Sequence, residues 1–167
     1  MSNVFLEKVN IFHSTQINEI YNYNLSRNRF FLGVEEKNLD DTVAFINTYL
    51  DSLAYPFFVL KSQNKILGYG YLSRISTNKI FKNTCNIDVL LAEGCTGYGF
   101  KKILCDELEI AGKICGISKL IINILDKDTK SISFYRELGY NIAGRVTDAC
   151  YKRNKYMSLV IMEKDIR

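Results

Sequence analysis

Apolar residues recur at helical spacing twice in the first third of the chain. The first set follows His13-Ser14-Thr15 and predicts a helix to about residue 28; its members are Ile17, Ile20, Tyr21 and Leu25. The second set follows Asn38-Leu39-Asp40 and predicts another helix, with Asp40 as its N-cap; its members are Val43, Ile46, Leu50 and Leu53. A short strand at residues 5–8 precedes both helices.

The rest of the chain reads as strands separated by two further helices. Residues 56–60 and 66–72 form a predicted hairpin, and 84–91, 119–125, 140–143 and 157–162 are further strands. The helices cover residues 98–111, stopping at Gly112, and a segment capped by Asp128 or Thr129 that ends at Gly139. This order predicts an α/β fold with a mixed central sheet flanked by about four helices. Without a linker or repeat, residues 1–167 are expected to form one domain.

Composition and charge narrow the function classes. The net charge of +4 arises from 22 basic and 18 acidic residues spread along the chain, so we expect neither a nucleic acid partner nor a membrane partner. Anionic small molecules remain plausible ligands. The first residues lack an apolar run long enough for a signal peptide, which predicts a cytoplasmic protein.

Cysteine and histidine usage argues against metal and nucleophilic chemistry. The five cysteines include no C-x-x-C pair, which predicts free and mostly buried thiols without a metal site. The single histidine, His13, is expected in a loop, and one histidine leaves none to spare for a catalytic triad.

A glycine loop is the most informative feature of the sequence. The strand at 87–91 is followed by Gly94-x-x-Gly97-x-Gly99 and then by an amphipathic helix. Glycines let backbone N–H groups approach a ligand, and a helix N-terminus attracts anions, so the loop suits a phosphate or pyrophosphate. The pattern lacks the Gly-Lys-Ser/Thr of a P-loop, and Lys102 stands where a Rossmann fingerprint needs its third glycine. The remaining alternative is that the glycines only shape a tight loop.

A second block lies about forty residues downstream, at Asp128-x-x-Ser131-x-x-x-Tyr135-x-x-x-Gly139-Tyr140. The two blocks together resemble the GNAT superfamily, whose coenzyme A loop reads Gln/Arg-x-x-Gly-x-Gly/Ala. The segments at 55–59, 67–71, 144–146 and 159–163, with Lys152, are similar to the phosphinothricin and methionine sulfoximine acetyltransferases. The resemblance covers almost the whole chain.

This resemblance implies a GNAT-fold homodimer that transfers the acetyl group of acetyl-CoA to the primary amine of a small amino-acid-like substrate. The implied cofactor contacts are Val89, Leu90, Leu91, Cys95, Thr96, Gly97, Tyr98, Gly99, Phe100, Lys101, Asp128 and Tyr135. Two alternatives stay open. In the first, the acceptor is a protein N-terminus or lysine; in the second, the chain is a GNAT-fold module that binds acyl-CoA and has lost turnover.

The sequence departs from the family at four places. The Gln/Arg that opens the loop is Gly94 here, so one pyrophosphate donor is missing. Two interpretations stay open: Lys101 or Lys102 replaces that donor, or both lysines are solvated residues of the helix. The family's strand-four glutamate falls on Thr84 or Asn86, and its closing tryptophan is Tyr156. We expect these last three positions to shape the acceptor pocket, as does Ser158 in place of the family's aspartate.

Two residues are candidates for proton transfer. Strand alternation places Asp88 on the face of Thr84 and Asn86, where burial would raise its pKa toward that of a general base. The alternative is that Asp88 pairs with a backbone or basic group. Tyr135 occupies the family's tyrosine position, and the resemblance implies that its hydroxyl protonates the leaving thiolate. The alternative is that Tyr135 is only an aromatic residue of the core. We expect the backbone N–H groups of residues 89–91 to stabilise the negatively charged oxygen of the tetrahedral intermediate.

Overall fold

The structure, a computed structural model, describes residues 3–51, 55–97 and 99–167. The strands in these ranges are β1 (Val4–Lys8), β2 (Phe57–Ser62), β3 (Lys65–Arg74), β4 (Thr84–Leu91), β5 (Lys119–Leu125), β6 (Asn141–Lys152) and β7 (Lys155–Asp165). The α-helices are α1 (Ser14–Arg27), α2 (Leu39–Leu50), α3 (Phe100–Ile114) and α4 (Thr129–Glu137). The predicted mixed α/β architecture is confirmed.

All of these strands belong to one sheet with the order β1-β2-β3-β4-β5-β7-β6. Neighbouring strands are antiparallel except β4 and β5, which are parallel and are connected through α3. A parallel pair needs such a crossover connection, because its strands run in the same direction. In this strand order the parallel pair lies near the centre of the sheet.

The ladder between β4 and β5 is short. It joins only residues 84–86 of β4 to residues 119–121 of β5, although both strands continue well beyond it. The two strands therefore separate toward their C-terminal ends and leave a gap in the middle of the sheet. Among the described residues, no strand pairs with the β4 edge beside this gap.

Each face of the sheet carries one apolar core. On one face, α1 and α2 cover a cluster that includes Val59, Tyr69 and Leu90, with Ile17 and Ile46 contributed by the helices. On the other face, α3 and α4 cover the larger cluster, whose helical members include Leu104, Leu108 and Tyr135. Residues that alternate along β4 therefore point to different layers.

Two predicted helix boundaries are wrong for reasons of packing and capping. Helix α3 continues past Gly112 to Ile114, since Gly112 is buried where an added Cβ would lie 3.0 Å from Leu72 Cδ1. The N-cap of α2 is Asn38 rather than Asp40, and Asn38 and Asp41 form a reciprocal capping box. The N-cap prediction for Asp128 is confirmed by the bond from the Ser131 amide to its side chain.

Two further predictions fail because tertiary contacts decide them. His13 is buried at the end of a short 3₁₀ helix, where its ring accepts from the Asn10 amide; it is not an open loop residue. Strand β6 runs to Lys152, far beyond the four residues predicted. It is an edge strand exposed along most of its length, so it lacks the apolar alternation that would have revealed it.

Candidate active site

The free edge of β4 points into the gap between β4 and β5. The Ala92 amide donates to the Leu67 carbonyl at 2.9 Å, so these two residues form a hydrogen-bonded pair that continues the β3–β4 ladder. In an antiparallel ladder every second residue is hydrogen-bonded to the neighbouring strand, and the residues between them direct their backbone groups to the other side. Leu90 therefore bonds to β3, while Val89 and Leu91 direct their backbone groups toward the gap. The Leu91 carbonyl accepts from Asn24 Nδ2 at 3.0 Å, which ties the end of α1 to this edge.

The glycine loop has the backbone conformation that its sequence predicts. Gly94, Gly97 and Gly99 have φ values of +72°, +89° and +75°, a region that side chains disfavour, and a Cβ at any of them would meet nothing within 4 Å. Gly99 is the N-cap of α3, and no side chain caps the helix there. The open space and the uncapped terminus form a seat for an anion. Tyr98 lies outside the described residues.

Two adjoining cavities lie between this loop and the gap. One, of about 400 Å³, is lined by Leu91, Thr96, Gly97, Gly99, Phe100, Lys101, Lys102, Lys130, Ser131 and Phe134. The other, of about 490 Å³, is lined by Asn24, Asn28, Arg29, Phe30, Val89, Leu90, Leu91, Thr96, Lys101, Lys127, Asp128, Thr129, Lys130 and Ser131. The predicted cofactor contacts Cys95 and Tyr135 are in neither lining, whereas the other described ones are.

The cavity walls are strongly cationic. Arg29, Lys127 and Lys130 contribute positive charge, as do the two lysines at the start of α3, against one carboxylate, Asp128. The Asp128 carboxylate already accepts from the Ser131 amide at 3.1 Å. A coenzyme A molecule carries a pyrophosphate, so the residues present fit that group in charge and in backbone geometry.

Asp88 lies on the β4 face that α1 and α2 cover, opposite Tyr71 in the neighbouring strand. Its carboxylate makes no hydrogen bond or ion pair within the described part of the chain. Burial raises the pKa of Asp88 to about 6, and the carboxylate in turn helps to raise the pKa of Tyr49 and Tyr71. The predicted direction of the Asp88 shift is therefore present, and the pairing alternative has no partner among these residues.

Tyr135 lies deep in the larger core, with only 1% of its surface exposed. Its ring packs edge-on against Phe134 and Tyr140, with centroids 5.1 and 5.2 Å away. Burial, together with the neighbouring Cys105 thiol, raises the pKa of Tyr135 well above its usual value. The Lys101 ammonium lies over the ring, 4.7 Å from its centroid.

Two of the predicted acceptor residues, Thr84 and Asn86, lie together on β4, whereas Tyr156 lies on β7 near the turn from β6. Thr84 begins β4, where the strand is still paired with β5, and it lies about 13 Å along the strand from Asp88. Asn86 is in the same paired stretch, opposite Ser73 of β3. Tyr156 is 69% exposed near the turn between β6 and β7, beside Tyr151 at a centroid distance of 5.0 Å.

Sequence reasoning missed a contact that closes the α1–α2 connection. Lys152 Nζ, at the end of β6, donates to the carbonyl oxygens of Phe31 and Gly33, the latter at 3.2 Å. Phe31 packs edge-on against Tyr21 of α1, with centroids 5.2 Å apart. Lys152 appears in the sequence only as one letter of a motif, and no local pattern could indicate a bond that spans about 120 residues of chain.

A mixed sheet that splits between its parallel strands, beside a glycine loop and a cationic cavity, defines an α/β protein with a site suited to a phosphorylated ligand. A family model described as an acetyltransferase (GNAT) domain matches residues 14–161, so the chain belongs to the GNAT acetyltransferase family. Acetyl-CoA is the acetyl donor of this family. A search of curated proteins with this sequence finds no significant match.

Solved structures agree on the fold. The acetyltransferase yncA of Salmonella typhimurium, solved with its cofactor acetyl-CoA, superposes with a TM-score of 0.93 at 19% identity, covering 99% of this chain and 95% of that one. An N-acetyltransferase from Staphylococcus aureus Mu50 gives 0.93 at 20%, covering 99% and 100%. A phosphinothricin acetyltransferase from Sinorhizobium meliloti, in complex with acetyl-CoA, gives 0.90 at 19%, covering 99% and 89%. At these identities the likeness establishes the GNAT fold.

The described residues include neither a membrane-spanning helix nor a cluster of metal ligands. None of the helices there combines the length and apolarity required to cross a membrane. No group of three His, Cys, Asp or Glu side chains there is arranged to hold a metal ion. The five cysteines are free thiols, and three of them, Cys85, Cys95 and Cys105, are buried.

Proposed function

We propose that this protein transfers the acetyl group of acetyl-CoA to the primary amine of a small amino-acid-like substrate. One observation carries the proposal. The gap beside β4 connects the backbone edge at Val89 and Leu91, which pairs with no strand among the described residues, with the glycine loop, and the unpaired carboxylate of Asp88 lies on the same strand. A thioester held along this edge would have a proton acceptor one residue away in the chain.

The chain offers separate contacts for the parts of the donor. Gly97, Gly99 and the uncapped start of α3 suit the pyrophosphate, and the cationic cavity walls suit the remaining phosphate. The outward backbone groups of Val89 and Leu91 suit the amides of the pantetheine arm, as an added strand would. Acetyl-CoA supplies an activated thioester when bound, and no protein nucleophile is needed.

The acceptor amine must lose a proton before it reacts. At pH 7 this costs roughly 4–5 kcal/mol for an alkyl amine with a pKa near 10.4, and little more than about 1 kcal/mol for an α-amino group near 8. A carboxylate with a pKa of about 6, such as Asp88, is ionised at neutral pH and is a weak base. That match supports an α-amino group as the acceptor.

A small acceptor is also supported by the contacts that fix the connection between α1 and α2, part of which lines the larger cavity. The Lys152 contacts hold the connection between α1 and α2 against the β6–β7 hairpin. Arg29, in the wall of the larger cavity, offers a cation for a substrate carboxylate. A protein N-terminus or lysine as acceptor would need an open groove in which to lay its chain.

A panel of amines tests the proposal by following acetyl-CoA-dependent thiol release. We expect turnover with free amino acids or close analogues such as methionine sulfoximine, and little with peptides. Turnover restricted to peptides would favour a protein acetyltransferase. Acetyl-CoA binding by calorimetry without turnover on any amine would favour the binding module, and absence of binding would remove the cofactor site itself.

We further propose that the protein is a cytoplasmic homodimer. Strand β6 is a long exposed edge that carries the apolar side chains Ile142 and Val146, both 46% exposed, and such edges are usually covered. The free cysteines suit a reducing compartment. Light scattering at micromolar concentration should give twice the chain mass, and Val146→Glu should give the single mass. A monomeric wild-type protein would contradict the dimer.

A further inference from the structure

Lys101 reaches the space between the two cavities of the site, whereas Tyr135 does not. Lys101 is the second residue of α3 and lines both cavities, while Tyr135 lines neither. The Lys101 Nζ lies 4.8 Å from the ring centroid of Phe134 and 4.7 Å from that of Tyr135. Two stacked cation–π contacts thus hold the ammonium over the aromatic floor formed by α4.

The neighbouring lysine shows how differently Lys101 is placed. Lys102 is 58% exposed and forms a salt bridge with Asp106 one turn further along α3. Lys101 makes no salt bridge or hydrogen bond within the described residues, and burial lowers its pKa. Because burial disfavours the charged form, a buried lysine gives up a proton more readily than a solvated lysine does.

The chemistry of the leaving group favours this lysine over the tyrosine. A thiol has a pKa near 8.5 and a phenol near 10. Burial moves the pKa of Tyr135 further up, which makes its hydroxyl a poorer acid for a thiolate, and moves that of Lys101 down, toward the thiol. Proton transfer is most efficient when donor and acceptor are close in acidity.

We propose that Lys101 donates the proton that the departing coenzyme A sulfur receives. As the bond between the neutral acceptor nitrogen and the acetyl carbon forms, the nitrogen gives a proton to Asp88, which afterwards releases it to water. The carbon–sulfur bond breaks, its electron pair stays on sulfur, and sulfur takes one proton from the Lys101 ammonium. Lys101 is then neutral and regains a proton from water. This proposal rests on the proposed function.

Three variants separate the candidates kinetically. Lys101→Met should lower kcat on the order of 10²-fold, by more than it raises the KM for acetyl-CoA. Lys113→Met, an exposed lysine of the same helix that lines neither cavity, is the control, and its kcat should stay within about twofold. Tyr135→Phe should likewise stay within about twofold. A small effect at Lys101, or the large loss at Tyr135 instead, would overturn the proposal.

A second readout needs no turnover. The thiol of enzyme-bound coenzyme A is titrated by its thiolate absorbance in the wild-type protein and in Lys101→Met. The wild-type ammonium should make the bound thiol roughly tenfold more acidic than it is in the variant, because an opposite charge favours the thiolate. Desulfo-coenzyme A should bind both proteins equally. Identical thiol titrations would refute a contact between Lys101 and sulfur.

These outcomes separate the two proposals. If the wild-type protein releases no thiol with any amine, the proposed function fails, but the bound-thiol titration still decides where Lys101 lies. If the wild-type protein turns over and Lys101→Met does so equally well, only the role of Lys101 fails. Lys101→Gln serves as a second variant, with thermal unfolding used to check that each protein is folded.

Discussion

Replacing Asp88 by asparagine should make the protein more stable at neutral pH and less active. The pKa of Asp88 rises from its ordinary value of 3.8 to about 6 because burial disfavours its charge. Its ionisation therefore opposes folding. The stability linked to this group is fully present below about pH 3.8 and is lost as the pH rises through about 6.

The size of the effect follows from the pKa difference. About 2.2 pKa units at 1.36 kcal/mol each amount to about 3 kcal/mol, of which about 2 kcal/mol falls between about pH 4.5 and about pH 7.5. Asparagine is nearly isosteric and stays neutral, so the variant lacks this loss. With a urea m-value of roughly 2 kcal/mol/M, the midpoint difference between variant and wild type should grow by about 1 M over that interval.

Urea titrations at several pH values measure this difference, with the exposed Asp40 as the control site. Asp40→Asn makes the same substitution at an exposed carboxylate and is the reference for the pH dependence. Thiol release by Asp88→Asn should fall as well, most steeply above about pH 6 and below the pKa of the acceptor amine, where Asp88 is ionised while the amine is still protonated. Parallel stability curves for Asp88→Asn and wild type would refute the burial argument, and unchanged turnover would refute the role as base.

Two more substitutions test the loop and the closure of the site. Gly99→Ala should weaken acetyl-CoA binding at least about tenfold by calorimetry. Gly116→Ala is the control: Gly116 has a similar φ of +80° but lies outside the loop, so the variant should share the strain of about 1–2 kcal/mol and bind acetyl-CoA normally. Equal binding by both variants would mean that the anion site lies elsewhere. Lys152→Met should raise the KM for the amine about tenfold without changing that for acetyl-CoA, because the α1–α2 connection loses its contact with the hairpin. Lys155→Met, directly opposite in the ladder, is its control, and a matching rise there would show a general effect of charge.

Local patterns were sufficient for the layout of the fold. Apolar periodicity indicated α1 and α2, and the run at 119–125 indicated β5, because burial of one face imposes those spacings. The glycine loop could be located for a similar reason. Positive φ at Gly97 and Gly99 is a local property that the residue type itself permits, so its signal is written in the sequence.

The separation of β4 from β5 has no local signal. Ladder bonds depend on how two distant strands approach each other, and the residues of β4 alternate in the same way with or without a partner. The same holds for the exposed strand β6, which is held by pairing with β7 rather than by an apolar face. In both cases the backbone of a neighbour decides the structure.

Side-chain environment is the other property that required the tertiary structure. Residue type and spacing were enough to locate the family motifs, the glycine loop and the face on which Asp88 lies. Only the folded chain decided that Lys101 rests on the rings of α4, that Tyr135 is enclosed by the core, and that Lys152 ties a hairpin to a distant loop. Acidity and reach depend on burial and on long-range contacts, which are set when elements far apart in the chain pack together.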